Sequence, residues 1–309
     1  MCARVKYLTE IPKETPKSLC IVAIAYSFAI SYDYPTKSFR KRAIYMKKFA
    51  KLAAVLMAAA MLLSLCACGN ANNAKKTITL GPSADYPPFE FHILKDGKDQ
   101  IVGIDVSMAK AIAAEMGAEL VIKDIAFDNL LIELGQGTVD FVIAAIELND
   151  ERDAQADFSD PYYTDMPPMI VTMKGNEGNY ASLADFAAKT VGAQSGTTKA
   201  QIVTDEMTGA MPLMMQSVTE LVNSLVNGKC DAIVLDGAVA EKYIASNDKL
   251  AAVDISLGEA AEPYRVAVQN GDPDGLLPAI NAAIKKAIEN GDIATWIEEA
   301  DALSAEAAE

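Results

Sequence analysis

The sequence predicts an α/β fold built as two similar lobes. Patterns typical of strands and helices alternate from residue 77 onward, which implies crossover connections and largely parallel sheets. Two runs, Val139–Ile146 and Ala232–Leu235, are continuously apolar, as expected of strands that are buried on both faces. Each run follows a G-x-x-D sequence, at Gly137–Asp140 and at Gly228–Asp231. This short repeat suggests that the chain uses one structural plan twice.

The first half contains two predicted strands and two predicted helices before its long apolar run. Short β-branched or apolar runs place the strands at Thr77–Leu80 and Leu120–Ile122. The helices are placed by an aspartate that precedes apolar residues at helical spacing, at Asp105 and at Asp128. The first half therefore follows a β-α-β-α-β order.

The second half repeats this alternation. Val191–Gln194 is predicted to be a strand that leads into a Ser-Gly-Thr-Thr turn and a helix. Ser217 and Glu220 form a predicted capping box for the next helix. Two further helices are predicted near the end of the chain, at Leu276–Asn290 and Ala294–Ala300.

Residues 46–68 have the layout of a secretory signal. Three lysines precede an uncharged run, Leu52–Leu65, which is short for a membrane span. The segment Leu65–Cys68 resembles a bacterial lipobox, which implies cleavage before Cys68 and a diacylglyceryl group on its sulfur; an uncleaved membrane anchor is the alternative. We interpret residues 1–45 as an upstream extension, with Met46 the true initiator, and residues 69–76 as a tether.

Charge and cysteine content exclude several classes of function. The whole chain has a net charge of −15; the first 68 residues carry +8, which leaves −23 for the remainder. So acidic a protein is a poor ligand for nucleic acid. Beyond Cys68 only Cys230 remains, so no disulfide can form within the mature chain. The single histidine, His92, makes a histidine triad or a multi-histidine metal site improbable.

Seven segments share their order and spacing with one known family. Among them, Asp150-Glu-Arg152 followed by Asp157-Phe-Ser-Asp-Pro-Tyr-Tyr163 is the most specific. The set resembles the polar amino-acid-binding proteins of ABC transporters, the extracellular solute-binding protein family 3. The other segments are Tyr86–Phe91, Gly103–Ile112, Phe127–Leu131, Val191–Thr197, Asp231–Asp236 and Asn270–Pro273.

This resemblance implies a two-lobe, periplasmic-binding-protein-like α/β fold with a ligand cleft between the lobes. Residues 77–170 and 264–309, including a C-terminal tail, are assigned to the first lobe, and residues 171–263 to the second. The crossing strands are expected near Met169–Met173 and Tyr264–Val268. Such folds close on their ligand like a hinge.

The resemblance also implies a role for each candidate site residue. Arg152 matches the arginine that binds the ligand carboxylate, a task suited to its planar fork, although a surface salt bridge with Asp153 or Asp157 is its alternative role. Asp236 matches the aspartate that receives the ligand ammonium, although capping the next helix is its alternative role. Tyr86 and Phe127 match the aromatic residues that enclose the ligand side chain. The remaining predicted ligand-binding residues are Ser83, Ala145, Glu147, Gln194, Thr197 (through its backbone N–H) and Thr198.

Two positions depart from the family pattern. Ser83 stands where some members carry an aspartate that faces the ligand, and Glu147 stands where a threonine or serine usually bonds the ammonium. If Glu147 faces the cleft, it and Asp236 outnumber Arg152 in charge, and a cationic ligand side chain would restore the balance. If Glu147 instead pairs with a protein donor, a neutral ligand is expected. The sequence leaves both alternatives open.

The predicted function is therefore capture of a polar amino acid and its delivery to the permease subunits of an ABC transporter. We expect a monomer without cofactor, metal or catalytic residues, anchored to the membrane by lipid on Cys68. The alternative is a dehydratase for a prephenate-like acid on the same scaffold, with Glu147 as a buried general acid.

Overall fold

A computed structural model describes residues 76–258 and 262–307. The predicted signal sequence, Cys68 and the tether up to residue 75 lie outside the described residues. Within the described residues, no helix combines the length and apolarity that a membrane span requires.

Strands and helices alternate along the described chain, as the sequence predicts. The strands are β1 (Thr77–Gly81), β2 (Asp85–Tyr86), β3 (Glu90–Lys95), β4 (Lys98–Val102), β5 (Glu119–Ile122), β6 (Phe141–Val142), β7 (Ala156–Phe158), β8 (Met169–Met173), β9 (Thr190–Gln194), β10 (Met211–Met215), β11 (Ala232–Leu235), β12 (Leu250–Ala252) and β13 (Ala267–Gln269). The α-helices are α1 (Ile104–Glu115), α2 (Leu130–Gly135), α3 (Asp150–Asp153), α4 (Thr198–Gln201), α5 (Val218–Val226), α6 (Gly237–Ser246), α7 (Leu277–Asn290) and α8 (Asp292–Ala307).

Two five-stranded sheets share one pattern of strand directions. The first has the order β5-β1-β6-β13-β7 and the second the order β10-β9-β11-β8-β12. In each sheet the first three strands are parallel and the last two join antiparallel. Strands β2, β3 and β4 form a separate antiparallel sheet. The first sheet uses residues 77–158 and 267–269 and the second uses 169–252, while the predicted lobe boundaries stay predictions.

The two G-x-x-D sequences have the same geometry. The backbone N–H of Thr79 donates to Asp140 Oδ2 at 2.6 Å, and the N–H of Thr190 donates to Asp231 Oδ2 at 2.8 Å. In return, the N–H of each aspartate donates to the carbonyl of the same threonine, at 2.9 and 2.8 Å. Each aspartate therefore fixes the start of its own strand against the neighbouring strand, and the repeat is structural.

Some element boundaries differ from the sequence prediction. The predicted strand Val139–Ile146 is regular only over β6, because the chain leaves the sheet and Ala145 takes a φ of 45°. Asp105 does not cap α1; it lies in the first turn, and Gly103 occupies the capping position. A Cβ on Gly103 would lie 2.1 Å from the Phe89 carbonyl oxygen, so only glycine fits there. Asp128 lies in a short 3-10 helix that precedes α2.

The segments that connect the sheets meet in an aromatic cluster. Strand β8 has the predicted bounds, whereas Tyr264 lies outside β13 and forms isolated bridges with Glu147 and Tyr163. The rings of Tyr163 and Tyr264 stack at 5.9 Å, and Phe89 packs edge-on against both. The cluster also contacts two residues that were predicted to bind ligand, because Phe89 packs against Tyr86 and Tyr264 bridges to Glu147.

Candidate functional site

A small cavity lies where the carboxyl ends of strands from both sheets meet. Ligand sites of α/β sheets are typically found at such strand ends. Eight of the ten predicted ligand-binding residues line the cavity, together with Ala144 and Lys199. The eight are Tyr86, Phe127, Ala145, Glu147, Arg152, Gln194, Thr197 and Asp236.

Arg152 presents its guanidinium to this cavity. Asn149 caps α3 by accepting a hydrogen bond from the Arg152 N–H at 2.9 Å, which places the side chain at the start of the helix. Nη1 donates to the Glu147 carbonyl at 2.6 Å, Nη2 donates to the Gly196 carbonyl at 3.0 Å, and the group lies 5.4 Å from the Phe127 ring centre. Burial lowers the Arg152 pKa, against the opposing effect of Glu147 and Asp236.

No ion pair among the described residues engages Arg152, so the alternative of a surface salt bridge with Asp153 or Asp157 is wrong. Instead, Asp157 accepts a hydrogen bond from the Gly271 N–H at 2.9 Å. Within the described part of the chain, the guanidinium donates hydrogen bonds only to neutral carbonyl groups. Its positive charge is therefore available to an anionic group in the cavity.

Asp236 is the cavity carboxylate that follows a strand of the second sheet. It occupies the N-cap position of α6 but makes no side-chain capping bond, so the alternative capping role is wrong. One carboxylate oxygen accepts a short hydrogen bond from the Tyr86 hydroxyl, and the other lies 2.5 Å from Lys199 Nζ. Burial and the neighbouring Asp236 raise the Tyr86 pKa well above its usual value, which keeps the hydroxyl protonated as a donor.

Lys199 is the site residue that sequence reasoning missed. Its side chain is buried, and Nζ lies 3.1 Å from Glu147 Oε2 as well as beside Asp236. Burial alone would lower the Lys199 pKa, but the two carboxylates outweigh it and raise the pKa. The signal available in the sequence was the position of this lysine directly after Ser-Gly-Thr-Thr, at the start of the helix that follows β9.

Glu147 is bound by protein donors from the other side of the cavity. Its Oε2 accepts a hydrogen bond from Thr198 Oγ1 at 2.5 Å and pairs with Lys199. Of the two alternatives left open by the sequence, the structure supports the one in which Glu147 pairs with a protein donor. The predicted excess of negative charge is absent among the described residues that line the cavity, because Lys199 balances it.

The other predicted residues have different surroundings. Thr197 caps α4, accepting from the Ala200 N–H at 3.1 Å and donating to the Gln194 carbonyl at 2.7 Å. Gln194 also donates from Nε2 to the Gln216 carbonyl at 3.0 Å. Ser83 is buried but is not among the described residues that line the cavity. Thr198 is likewise not among the described lining residues, and its hydroxyl donates to Glu147 Oε2.

Further contacts hold the two sides of the cleft together in this closed conformation. Asp85 Oδ2 accepts from the Val218 N–H at 2.5 Å, and the Tyr243 hydroxyl donates to the Asp85 carbonyl at 3.2 Å. On another side of the cavity, Gln216 Nε2 donates to Asp128 Oδ2 at 3.2 Å. The cleft is therefore closed by contacts that join the first sheet's loops to the second sheet's helices.

Comparisons with known proteins agree with this geometry. The profile of the bacterial extracellular solute-binding proteins, family 3, matches residues 78–299. The arginine-binding extracellular protein ArtP of Bacillus subtilis is 36% identical over 255 residues, which cover 80% of this chain and 95% of ArtP. The L-cystine-binding protein TcyJ of Escherichia coli is 31% identical over 245 residues, covering 78% of this chain and 89% of TcyJ.

Solved structures give the same result. The substrate-binding protein AbpA of an amino-acid ABC transporter from Streptococcus pneumoniae, bound to L-arginine, superposes with a TM-score of 0.71. It is 32% identical, and the match covers 74% of this chain and 95% of AbpA. These relatives are named as binding proteins, and none of them supports the dehydratase alternative. The chain belongs to the bacterial extracellular solute-binding proteins of family 3 and serves an ABC transporter for amino acids.

Proposed function

We propose that this protein captures an L-α-amino acid between Arg152 and Asp236, closes around it and presents it to the permease subunits of its transporter. The observation that carries the proposal is that a buried guanidinium and a buried carboxylate, which follow strands of different sheets, line one cavity. An α-amino acid carries the complementary pair of charges, a carboxylate and an ammonium. Each needs a charged partner once water is excluded.

The roles of the other residues follow from their positions. Tyr86 and Phe127 supply aromatic surface for the ligand side chain, and the Tyr86 hydroxyl holds Asp236 in place. Gln194 adds an amide, and Thr197 lies at the N-terminus of α4, where backbone N–H groups favour a carboxylate. These assignments rest on geometry and on the family pattern.

Closure follows from the distribution of these groups. Arg152 and Phe127 follow strands of the first sheet, whereas Asp236 and Thr197 follow strands of the second. A ligand bonded to both sets contacts them together only in the closed form, so it shifts the open–closed equilibrium toward closure. The closed surface is the form that we expect the permease to recognise.

Lipid attachment at Cys68 is part of the proposal and is tested separately. The Cys68→Ser variant should fail to incorporate radiolabelled fatty acid and should leave the membrane fraction in the producing bacterium. The Cys230→Ser variant, which removes the buried cysteine, should retain both properties. Continued labelling of the Cys68→Ser variant would refute the lipobox assignment.

A ligand panel tests the proposed function. The relatives named above bind arginine or cystine, so the panel contains the twenty amino acids, cystine, ornithine, citrulline and prephenate. The full chain, purified in mild detergent, is screened by thermal shift, and each hit is measured by titration calorimetry. A ligand at a hundredfold excess over its Kd stabilises the folded state by about 2.7 kcal/mol. Stabilisation by at least one amino acid is expected; a response to prephenate alone would contradict the proposal.

A further inference from the structure

The cleft contains an ion pair that the amino-acid backbone of a ligand does not require. Lys199 Nζ lies 3.1 Å from Glu147 Oε2, and both side chains are almost completely buried. Glu147 follows a strand of the first sheet, and Lys199 follows a strand of the second. The pair therefore forms across the cleft, beside the groups proposed to bind the ligand.

The charges that line the cavity are balanced. Arg152 and Lys199 are cationic, and Glu147 and Asp236 are anionic; no other charged side chain belongs to the described cavity lining. Arg152 bonds only carbonyl oxygens and can accept a ligand carboxylate. Asp236 can accept the ligand ammonium. Glu147 and Lys199 then neutralise each other, so a zwitterionic ligand leaves the site neutral.

A cationic ligand side chain would break this balance. Its charge would enter a cavity shielded from water, where an uncompensated charge is costly. Among the described residues, the carboxylates that line this cavity are Asp236 and Glu147, and the second is already bound by Lys199 and Thr198. Asp128 and Glu151 line the adjoining open pocket, but Glu151 is exposed and Asp128 is half-buried, so neither is shielded from water as the cavity carboxylates are. Ser83, at a position where some family members carry an aspartate, supplies no further negative charge.

We infer that the Glu147–Lys199 ion pair selects amino acids with an uncharged side chain and discriminates against arginine, lysine and ornithine. This inference rests on the proposed function and deepens it. In the described conformation Lys199 also contacts Asp236 at 2.5 Å. The ammonium of an entering ligand takes over that contact, and Lys199 stays on Glu147. Lys199 is thus a specificity-determining residue. In the absence of ligand, its Nζ occupies the position beside Asp236 that the ligand ammonium takes when ligand binds.

Four versions of the chain test this inference: the wild type, Lys199→Gln, Glu147→Gln, and the double variant. Each full chain is titrated by calorimetry with citrulline and arginine, which differ mainly in one charge, with glutamine and glutamate, and with lysine and ornithine. Thermal melts of the same samples verify folding. The double variant removes both charges and keeps the net charge of the wild-type cavity, so it is the matched control.

The wild type should bind its best uncharged amino acid more tightly than any of the cationic ones. Lys199→Gln should shift the ratio of affinities toward cationic ligands by about tenfold to a hundredfold, because Glu147 is left unpaired. Glu147→Gln should shift the ratio toward glutamate, and the double variant should restore the wild-type order.

The inference is overturned if the wild type prefers arginine, lysine or ornithine, or if the single variants keep the wild-type ratios. If a single variant fails to fold, the order of the wild-type affinities for uncharged and cationic amino acids is sufficient to test the inference. Failure of the proposed function looks different, since the wild type would then bind no amino acid at all.

Discussion

Two groups of buried ionisable side chains in this protein avoid the cost of an unpaired buried charge in different ways. In the cleft, Arg152 and Lys199 face Glu147 and Asp236, and the charges balance. In the interior beside α1, Glu90 and Asp105 are both fully buried, and both are acids. Burial of a charge without a partner is costly, so each group needs compensation.

The interior group is compensated by protons. Burial, and then the adjacent Asp105, raise the Glu90 pKa well above its usual value. Burial raises the Asp105 pKa to about 6, although Asp105 accepts hydrogen bonds from the Ala145 N–H and the Tyr162 hydroxyl, each at 2.7 Å. A protonated carboxyl is neutral and needs no ionic partner.

The cleft group is compensated by opposite charges that come from different sides of a closing cavity. The charged groups of a ligand can replace the ionic partners of these cleft residues. A proton bound to Glu90 or Asp105 in the interior cannot be replaced by a ligand group. Balanced charges on the two sides of a closing cleft therefore indicate a binding site, whereas clustered acids within one core indicate a structural role.

The largest effect is expected for Arg152→Ala. Of the two cations among the described residues that line the cavity, Arg152 is the one without a carboxylate partner. Its removal should lower the affinity for the best amino-acid ligand about a thousandfold or more. Titration calorimetry measures it. Arg265→Ala is the matched control, because Arg265 donates to the Ser159 carbonyl at 2.7 Å and does not line the described cavity. Near-normal affinity in Arg152→Ala would contradict the assignment of Arg152 as the partner of the ligand carboxylate.

Asp236→Asn should have the next largest effect. It keeps the shape of the side chain but removes the charge that would receive the ligand ammonium, so affinity should fall about a hundredfold. The control is Asp231→Asn at the other end of β11, where the carboxylate binds the Thr190 N–H and Lys189. Equal affinities in the two variants would show that the cleft carboxylate does not bind ligand.

A smaller effect is expected for Glu90→Gln, on stability rather than binding. The pKa of Glu90 is higher in the folded state than in the unfolded state, so the folded state retains a proton that the unfolded state has lost. Above the usual glutamate pKa, each pH unit therefore lowers the free energy of unfolding by about 1.4 kcal/mol, until the folded pKa is reached. Glutamine cannot ionise, so the free energy of unfolding of Glu90→Gln does not fall with pH for this reason.

Thermal melts from about pH 5 to about pH 8 measure the difference. The Tm of Glu90→Gln relative to the wild type should rise with pH, by roughly 2–4 °C for each kcal/mol. Glu299→Gln, on the exposed face of α8, is the control and should give a difference that is independent of pH. If the Tm difference between Glu90→Gln and the wild type does not change with pH, protonation does not compensate the buried Glu90 and Asp105. The proposed difference between the interior acids and the cleft charges would then be wrong.

The smallest effect is expected for Tyr86→Phe. It removes one hydroxyl that holds Asp236 across the cleft, and ligand affinity should fall by about 1 kcal/mol, or roughly fivefold. Tyr180→Phe makes the same change where Tyr180 stacks on Phe186, away from the cleft. If both variants bind like the wild type, the Tyr86 hydroxyl plays no part in arranging Asp236.

The sequence by itself determined the alternation of strands and helices and the repeat at Asp140 and Asp231. These features are local, because side-chain periodicity and chain punctuation follow from neighbouring residues. Arg152 and Asp236 were identified through the resemblance to a known family. The sequence predicted the ends of strands and helices less accurately. The apolar run after Val139 predicts a long strand, but Ala145 turns the chain toward the cleft.

Only the tertiary structure decided which charges meet. Glu147 was singled out from the sequence as an unusual residue, but its partner Lys199 was not, because a lysine next to a turn is ordinarily solvated. The two residues are 52 positions apart and come from different sheets. Electrostatic partnership depends on distance in space and on exclusion of water, and both arise only when the two sides of the cleft come together.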